Sequence, residues 1–186
     1  MRALGIAFLL VLAAGPARAA APPPRQGAAV NIEPTSGRTY YHEPGQTHRQ
    51  LLTTEVQVPV NTIVDASHGQ MGLTSVNGSA DFHGGAFVVR EPKKQHVTQL
   101  WLAGGRASSC GPGSARTIRS LWGDGKGRFE TRGRYAAATV RGTKWRVADR
   151  CDGTLVTVLR GVVAVRDFRQ GRTILVRAGH SYLARA

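Results

Sequence analysis

The stretch that decides the fold is residues 140–184, VRGTKWRVADRCDGTLVTVLRGVVAVRDFRQGRTILVRAGHSYLA. Short alternating apolar runs are separated by turn dipeptides. Trp145 and Val147 alternate with Lys144 and Arg146, and Leu155, Thr157 and Leu159 oppose Val156 and Val158. Val163 and Val165 alternate with Ala164 and Arg166; Ile174 and Val176 alternate with Leu175 and Arg177. Side chains on a strand point to opposite faces with period two, so the pattern predicts half-buried strands. The breaks fall at Asp152-Gly153, Arg160-Gly161, Gln170-Gly171 and Ala178-Gly179, where glycine supplies the positive φ of a tight turn.

Working back along the chain, the same texture continues. Phe129–Arg132 and Tyr135–Val140 read as strands, with Ala136–Ala138 too short for a helix. Gly123–Gly127 reads as a turn, and 104–114 as a long Gly/Ser loop holding Cys110. His96–Ala103 is another apolar run, and Ala86–Arg90, Ala80–His83, Met71–Val76 and Ile63–Ala66 are further strand candidates. Asn77-Gly78 is the strongest two-residue hairpin signal, and it explains the asparagine better than the weak Asn-Gly-Ser glycosylation pattern does. Val56, Val58 and Val60 alternate, and Pro59 points to a sheet edge. A faint internal echo matches 62–90 to 143–166 and suggests two similar strand clusters. Trp145, Phe129, Phe87, Phe82, Trp101 and Trp122 are the expected core anchors. The expectation is an all-β domain of about a dozen short antiparallel strands, folded as a sandwich or roll.

Three of these pieces carry a family resemblance. Residues 140–147, with Gly142, Thr143, Trp145 and Val147, resemble the GT-x-F-x-V core of the FecR domain. Residues 157–165, with Gly161 and Val163, resemble that family's V-x-x-G-x-V-x-V strand pair, and 176–182, with Gly179, its closing strand. Residues 128–140 resemble the segment that precedes the family's Gly-Thr. Trp145 stands where the family more often has phenylalanine, and Ala178-Gly179 where it often has Pro-Gly. The resemblance implies an extracytoplasmic β-module that acts in signal transduction or as an interaction domain, without catalysis. Family regulators carry a cytoplasmic anti-sigma segment and a membrane helix before this domain. Here the preceding sequence reads differently.

Residues 1–19 read as a secretory signal: Arg2, an apolar run from Ala3 to Ala14, and Ala17-Arg18-Ala19 as a small-x-small cleavage site. An uncleaved anchor is the competing reading. Residues 20–54 hold Pro22-Pro23-Pro24, few aliphatics and no period, and read as a flexible linker or loosely docked extension; the domain is expected over 55–186. After signal cleavage the protein is expected to be secreted or extracytoplasmic, in the periplasm or cell envelope, and not embedded in a membrane. Two cysteines, Cys110 and Cys151, favour a disulfide in an oxidising compartment. A cysteine–histidine nucleophile is the alternative.

The net charge is +14, and +12 once Arg2 and Arg18 are set aside. Arginine dominates over lysine and is spread along the strands, as composition alone would produce. The local concentrations at 128–134 and 144–150 raise a second reading, a polyanion surface built from Arg128, Arg132, Arg134, Arg141, Arg146 and Arg150. Nucleic acid is not the expected partner, since no recognised motif for it is present.

Catalytic patterns fail on spacing. No histidines sit at i, i+4 and there is no Cys-x-x-Cys. His68, His83 and Asp81 would form a metal site only if a hairpin brought them together. Gly179-His180-Ser181 lacks the second glycine of a nucleophile elbow, and Gly123–Gly127 lacks the Gly-Lys-Ser/Thr ending of a P-loop. No cofactor is expected. Three readings result: an exported non-catalytic FecR-like module that meets an envelope protein or wall polymer; a basic polyanion binder; and an enzyme, for example a glycan-modifying one, whose site forms no motif.

Overall fold

The computed structural model describes residues 21–105, 110–111 and 113–186. The signal segment expected over 1–19 lies outside them. Among the described residues the fold is all-β, with no helix. Thirteen strands follow in order: β1 (Ala29–His42), β2 (Gln50–Leu51), β3 (Val56–Pro59), β4 (Ile63–Ser75), β5 (Gly78–His83), β6 (Ala86–Arg90), β7 (Thr98–Ala103), β8 (Thr117–Arg132), β9 (Ala136–Arg150), β10 (Gly153–Arg160), β11 (Val162–Asp167), β12 (Thr173–Arg177) and β13 (Ser181–Arg185). All pairings are antiparallel except β7 with β8.

Four strands are long, and each has different partners at its two ends. The C-terminal half of β1 and the N-terminal half of β4 join a layer ordered β2-β1-β4-β6-β7-β8-β9-β11-β12. Their other halves join a second layer with β3, β5, β10 and β13. β8 and β9 likewise serve both layers. The layers face each other across one apolar core. Phe82 of the second layer lies 5.5 Å from Phe87 and 5.7 Å from Phe129 of the first.

The bends in the shared strands need special backbone. β8 against β9 slips register between Gly125 and Arg128, where Gly127 has φ 128° and, on β9, Gly142 has φ 75°. Only glycine adopts such angles freely. The turn expected at Gly123–Gly127 is therefore a bend inside one strand, and the chain reverses later, at Gly133 and Arg134. Gly123 has a separate reason. A Cβ there would lie 2.5 Å from Cζ2 of Trp145, so the indole rests on bare backbone. Trp145 is fully buried, 6.0 Å from Phe82, and its Nε1–H donates to Thr131 Oγ1 at 3.0 Å.

The expected linker is corrected. Residues 29–42 form the first long strand, with Val30 and Ile32 fully buried, and 50–51 and 56–59 pair with it. Even residues 22–27 are docked: the Pro22 carbonyl accepts from Asn31 Nδ2 and Gln57 Nε2, and the Gly27 N–H donates to Glu91. The segment looked like a linker because β1 carries polar residues where it bends, at 33–38. Pro59 does sit on an edge, since β3 pairs with β1 alone. Asn77-Gly78 makes the β4–β5 turn, and the Asn77 amide is engaged by Gln26, Glu91 and Thr98.

The internal echo has a structural counterpart in a different register. β1-β4-β5-β6-β7 and β8-β9-β10-β11-β12 repeat one connectivity. In each, the second strand pairs the third along its C-terminal half and the fourth along its N-terminal half. The Asn77-Gly78 turn corresponds to Asp152-Gly153: Ser75 pairs with Gly78 across one and Arg150 with Gly153 across the other.

Cys110 and Cys151 are bonded, with Cα atoms 5.4 Å apart and a sequence separation of 41. The bridge ties the β7–β8 connection to the β9–β10 turn, as expected.

Trp145→Ala should cost about 3–5 kcal/mol, and Gly123→Ala about 1–3 kcal/mol by overpacking against the same ring. Trp145→Phe should relieve part of the Gly123→Ala defect. Urea denaturation of the four proteins measures this; additive effects would contradict the contact. Reduction of the bridge should cost roughly 3–4 kcal/mol in the chain-entropy model, read from the same curves with and without reductant.

Candidate functional site

Alternation sorts the arginines by face. In the first layer the inward residues of β6, β7, β8, β9, β11 and β12 include Phe87, Leu100, Phe129, Ala138, Val165 and Val176, all buried. Their neighbours point outward and carry Arg90, Arg128, Arg132, Arg141, Arg166 and Arg177. Across these strands the one outward carboxylate is Glu130, which lies 3.9 Å from Arg132 and accepts from Gln99 and Thr139. Arg128 and Arg141 occupy directly opposed positions on β8 and β9. Neither has an ion pair among the described residues.

Trp101 lies on this face. Arg90 stacks on one region of its ring at 4.1 Å and Arg132 at 4.7 Å, and Arg132 also lies 4.7 Å from Phe168. Guanidinium groups at such distances are held electrostatically by the ring quadrupole. The expectation that Trp101 and Trp122 anchor the core is thus corrected: both are only partly buried. Trp122 lies on the other layer's outer face, between His83, stacked at 5.9 Å, and Arg146 at 5.5 Å. Each ring sits at an outward register position, so the core is filled without it.

Of the six arginines proposed from sequence, the fold brings three together: Arg128, Arg132 and Arg141. Arg134 is in the β8–β9 turn, where its N–H donates to Asp149, and its guanidinium lies 5.3 Å from the Tyr135 ring. Arg146 is on the opposite layer. Arg150 is held by Asp152 through two hydrogen bonds of 2.8 and 2.7 Å. That contact, chiefly the hydrogen bond itself, holds the Asp152 carboxyl below the usual range. Sequence reasoning missed Arg90, Arg166 and Arg177, which lie far apart in the chain. Their signal was the repeated Val-Arg step at strand ends, an inward valine followed by an outward arginine.

The second layer's outer face differs. Glu33, Gly72, Asp81, Asp124 and Lys144 form one row across five strands, and the first four line a shallow cleft of about 490 Å³ with Lys126. Asp124 is paired with Arg160 at 2.5 Å and Lys144 at 3.7 Å. The row is therefore mixed in sign.

The conjectured His68–His83–Asp81 cluster does not form. Gln70, not His68, pairs with His83, and His68 pairs with Arg38 on β1. Among the described residues no three His, Cys, Asp or Glu side chains are placed to hold a metal. The cysteine–histidine alternative is corrected too, since both sulfurs are in the disulfide.

The seven positions that carry the FecR resemblance all serve architecture. Trp145, Val147 and Val163 are fully buried and Thr143 nearly so. Gly142, Gly161 and Gly179 have φ of 75°, 81° and 80° at a bend and two turns. No protein-family model matches the chain, and no curated protein or solved structure matches it either. No helix among the described residues is long and apolar enough to cross a membrane.

A buried charge stabilises the C-terminal strands. Asp167 is fully buried, accepting from Tyr182 Oη at 2.8 Å and the Gln170 N–H at 2.9 Å. Burial pushes its carboxyl up, but those donors, the Arg169 backbone and Arg172 together outweigh it and hold it below the usual range. Burial first and Asp167 second push the Tyr182 phenol up. An aspartate depressed in the folded state contributes stability above its unfolded pKa and loses it as the pH falls through the folded value. Wild-type protein should therefore lose thermal stability below about pH 4, and Asp167→Asn should be less stable at neutral pH with a flatter acid limb. Parallel acid limbs in the two proteins would contradict this.

Proposed function

We propose that this protein is a non-catalytic, extracytoplasmic binding module that engages an anionic polymer of the cell envelope through the first layer's outer face. The observation that carries the reading is Arg128 opposite Arg141. Like charges directly across a ladder are destabilising, and among the described residues neither arginine has a carboxylate to offset the other. Four further arginines and a stacked tryptophan share the face. A sheet bearing cations at strand spacing suits an extended polyanion better than a small molecule. The disulfide supports an oxidising compartment. The FecR-like residues support an envelope module, and their structural use is consistent with a scaffold that binds without reacting.

Poly(glycerol phosphate) titrated into the protein by calorimetry tests this. Binding should weaken steeply with salt, and the double variant Arg128→Glu/Arg141→Glu should lose affinity about tenfold or more. Lys126→Glu, on the other layer, should change it little. Arg141→Thr should weaken binding while raising stability by up to about 1 kcal/mol. Equal losses from both faces, or salt-independent binding, would overturn the proposal.

A further inference from the structure

The two repeats differ at one place. In the first repeat β7 is covered on both sides: β6 pairs one edge, and residues 129–132 of β8 run parallel along the other. In the second, β12 pairs only β11. The correspondence can be followed strand by strand. β13 lies antiparallel against β10 as the first half of β8 lies against β5, and after the turn Gly153 faces Arg185 as Gly78 faces Gly127. β8 then goes on through its bend to cover β7. Among the described residues nothing covers β12.

The uncovered edge has the marks of a missing neighbour. Leu100 of β7 pairs with Val89 and is fully buried; its counterpart Ile174 pairs with Val165 and is only partly buried. Leu175 is 66% exposed, more than any other large apolar residue of the described chain. Residues 174–177 and 180–182 border an open cleft of about 240 Å³ between β12 and β13. Backbone donors and acceptors along such an edge are a template for an added strand.

We propose that the outer edge of β12 accepts an extended acidic segment of another protein, running parallel to β12. The strand that fills the equivalent place in the first repeat sets the pattern. Its inward residues, Phe129 and Thr131, cover the core opposite Thr98 and Leu100. An incoming segment places alternate apolar side chains over Ile174 and Tyr182 in the same way. Its outward residues meet arginines: Arg166, Arg169, Arg172, Arg177 and Arg185 are all exposed at this end, while Asp167 is buried. That charge favours glutamate or aspartate at the outward positions and disfavours a second copy, which brings the same arginines to the edge.

The test uses an eight-residue peptide alternating glutamate with phenylalanine and threonine, measured by calorimetry and amide hydrogen exchange on the purified protein. It should bind and slow exchange across β12. A peptide of the same composition with its glutamates in one block should bind about tenfold weaker or worse. So should the alternating peptide N-methylated at every second residue, which has lost donors. Leu175→Pro should abolish peptide binding yet keep that of poly(glycerol phosphate); if this variant does not fold, the N-methylated peptide decides. Equal binding of the block peptide, or slowed exchange around Arg128 and Arg141 with β12 unchanged, would overturn the proposal in favour of simple adhesion to the basic face. Sedimentation showing dimers of the protein alone, with β12 already protected, would overturn it in favour of a second copy.

Discussion

The structure depends on one contact, the indole of Trp145 lying on the backbone of Gly123. Both residues belong to halves of long strands that lie in the second layer, yet the indole N–H is satisfied by Thr131 in the first. A single side chain thus sets both the spacing between layers and the register of β8 on β9. It works only because residue 123 has no side chain. The aromatic cluster of Phe82, Phe87 and Phe129 then closes around the ring. Sharing four bent strands means that neither layer exists without the other, so the core is a single cooperative volume.

That rigidity gives the charges their meaning. Arginines on flexible loops turn away from one another, but Arg128 and Arg141 are fixed by the pleat at ladder spacing. The sheet therefore holds a charge arrangement that an isolated chain would relax. Stacking on Trp101 similarly restrains Arg90 and Arg132. The neighbouring outer face, with Asp124 neutralised by Lys144 and Arg160, shows that the chain places carboxylates beside cations elsewhere.

The strands β10, β11 and β12 were legible because each is short, alternating and followed by a glycine turn. Val156 and Val158 point in, Leu155 and Leu159 out, and all four turns fall where the dipeptides put them. The long strands were harder. A strand that bends between layers must break its alternation at the bend, so Gly123–Gly127 read as a turn and residues 29–42 as a linker. The two outward tryptophans were misplaced for another reason: ring size suggests burial, whereas stacked guanidinium groups let a large ring remain at the surface. The basic face was half legible. Local density found Arg128, Arg132 and Arg141, but it also gathered Arg134, Arg146 and Arg150, because closeness in sequence says nothing about which side of a pleat a residue takes.

The bridge between Cys110 and Cys151 has one more consequence. The chain contains only these two cysteines, so within one molecule there is a single way to pair them and no wrong partner to undo. Oxidation needs no shuffling step. Closure requires the β9–β10 turn to sit beside the segment that leads into β8, and the pairing of β8 with β9 brings it there: Thr117 faces Arg150 and the Cys151 N–H donates to the Arg116 carbonyl. The bond is therefore a latch on the β8–β9 pairing rather than a guide to it.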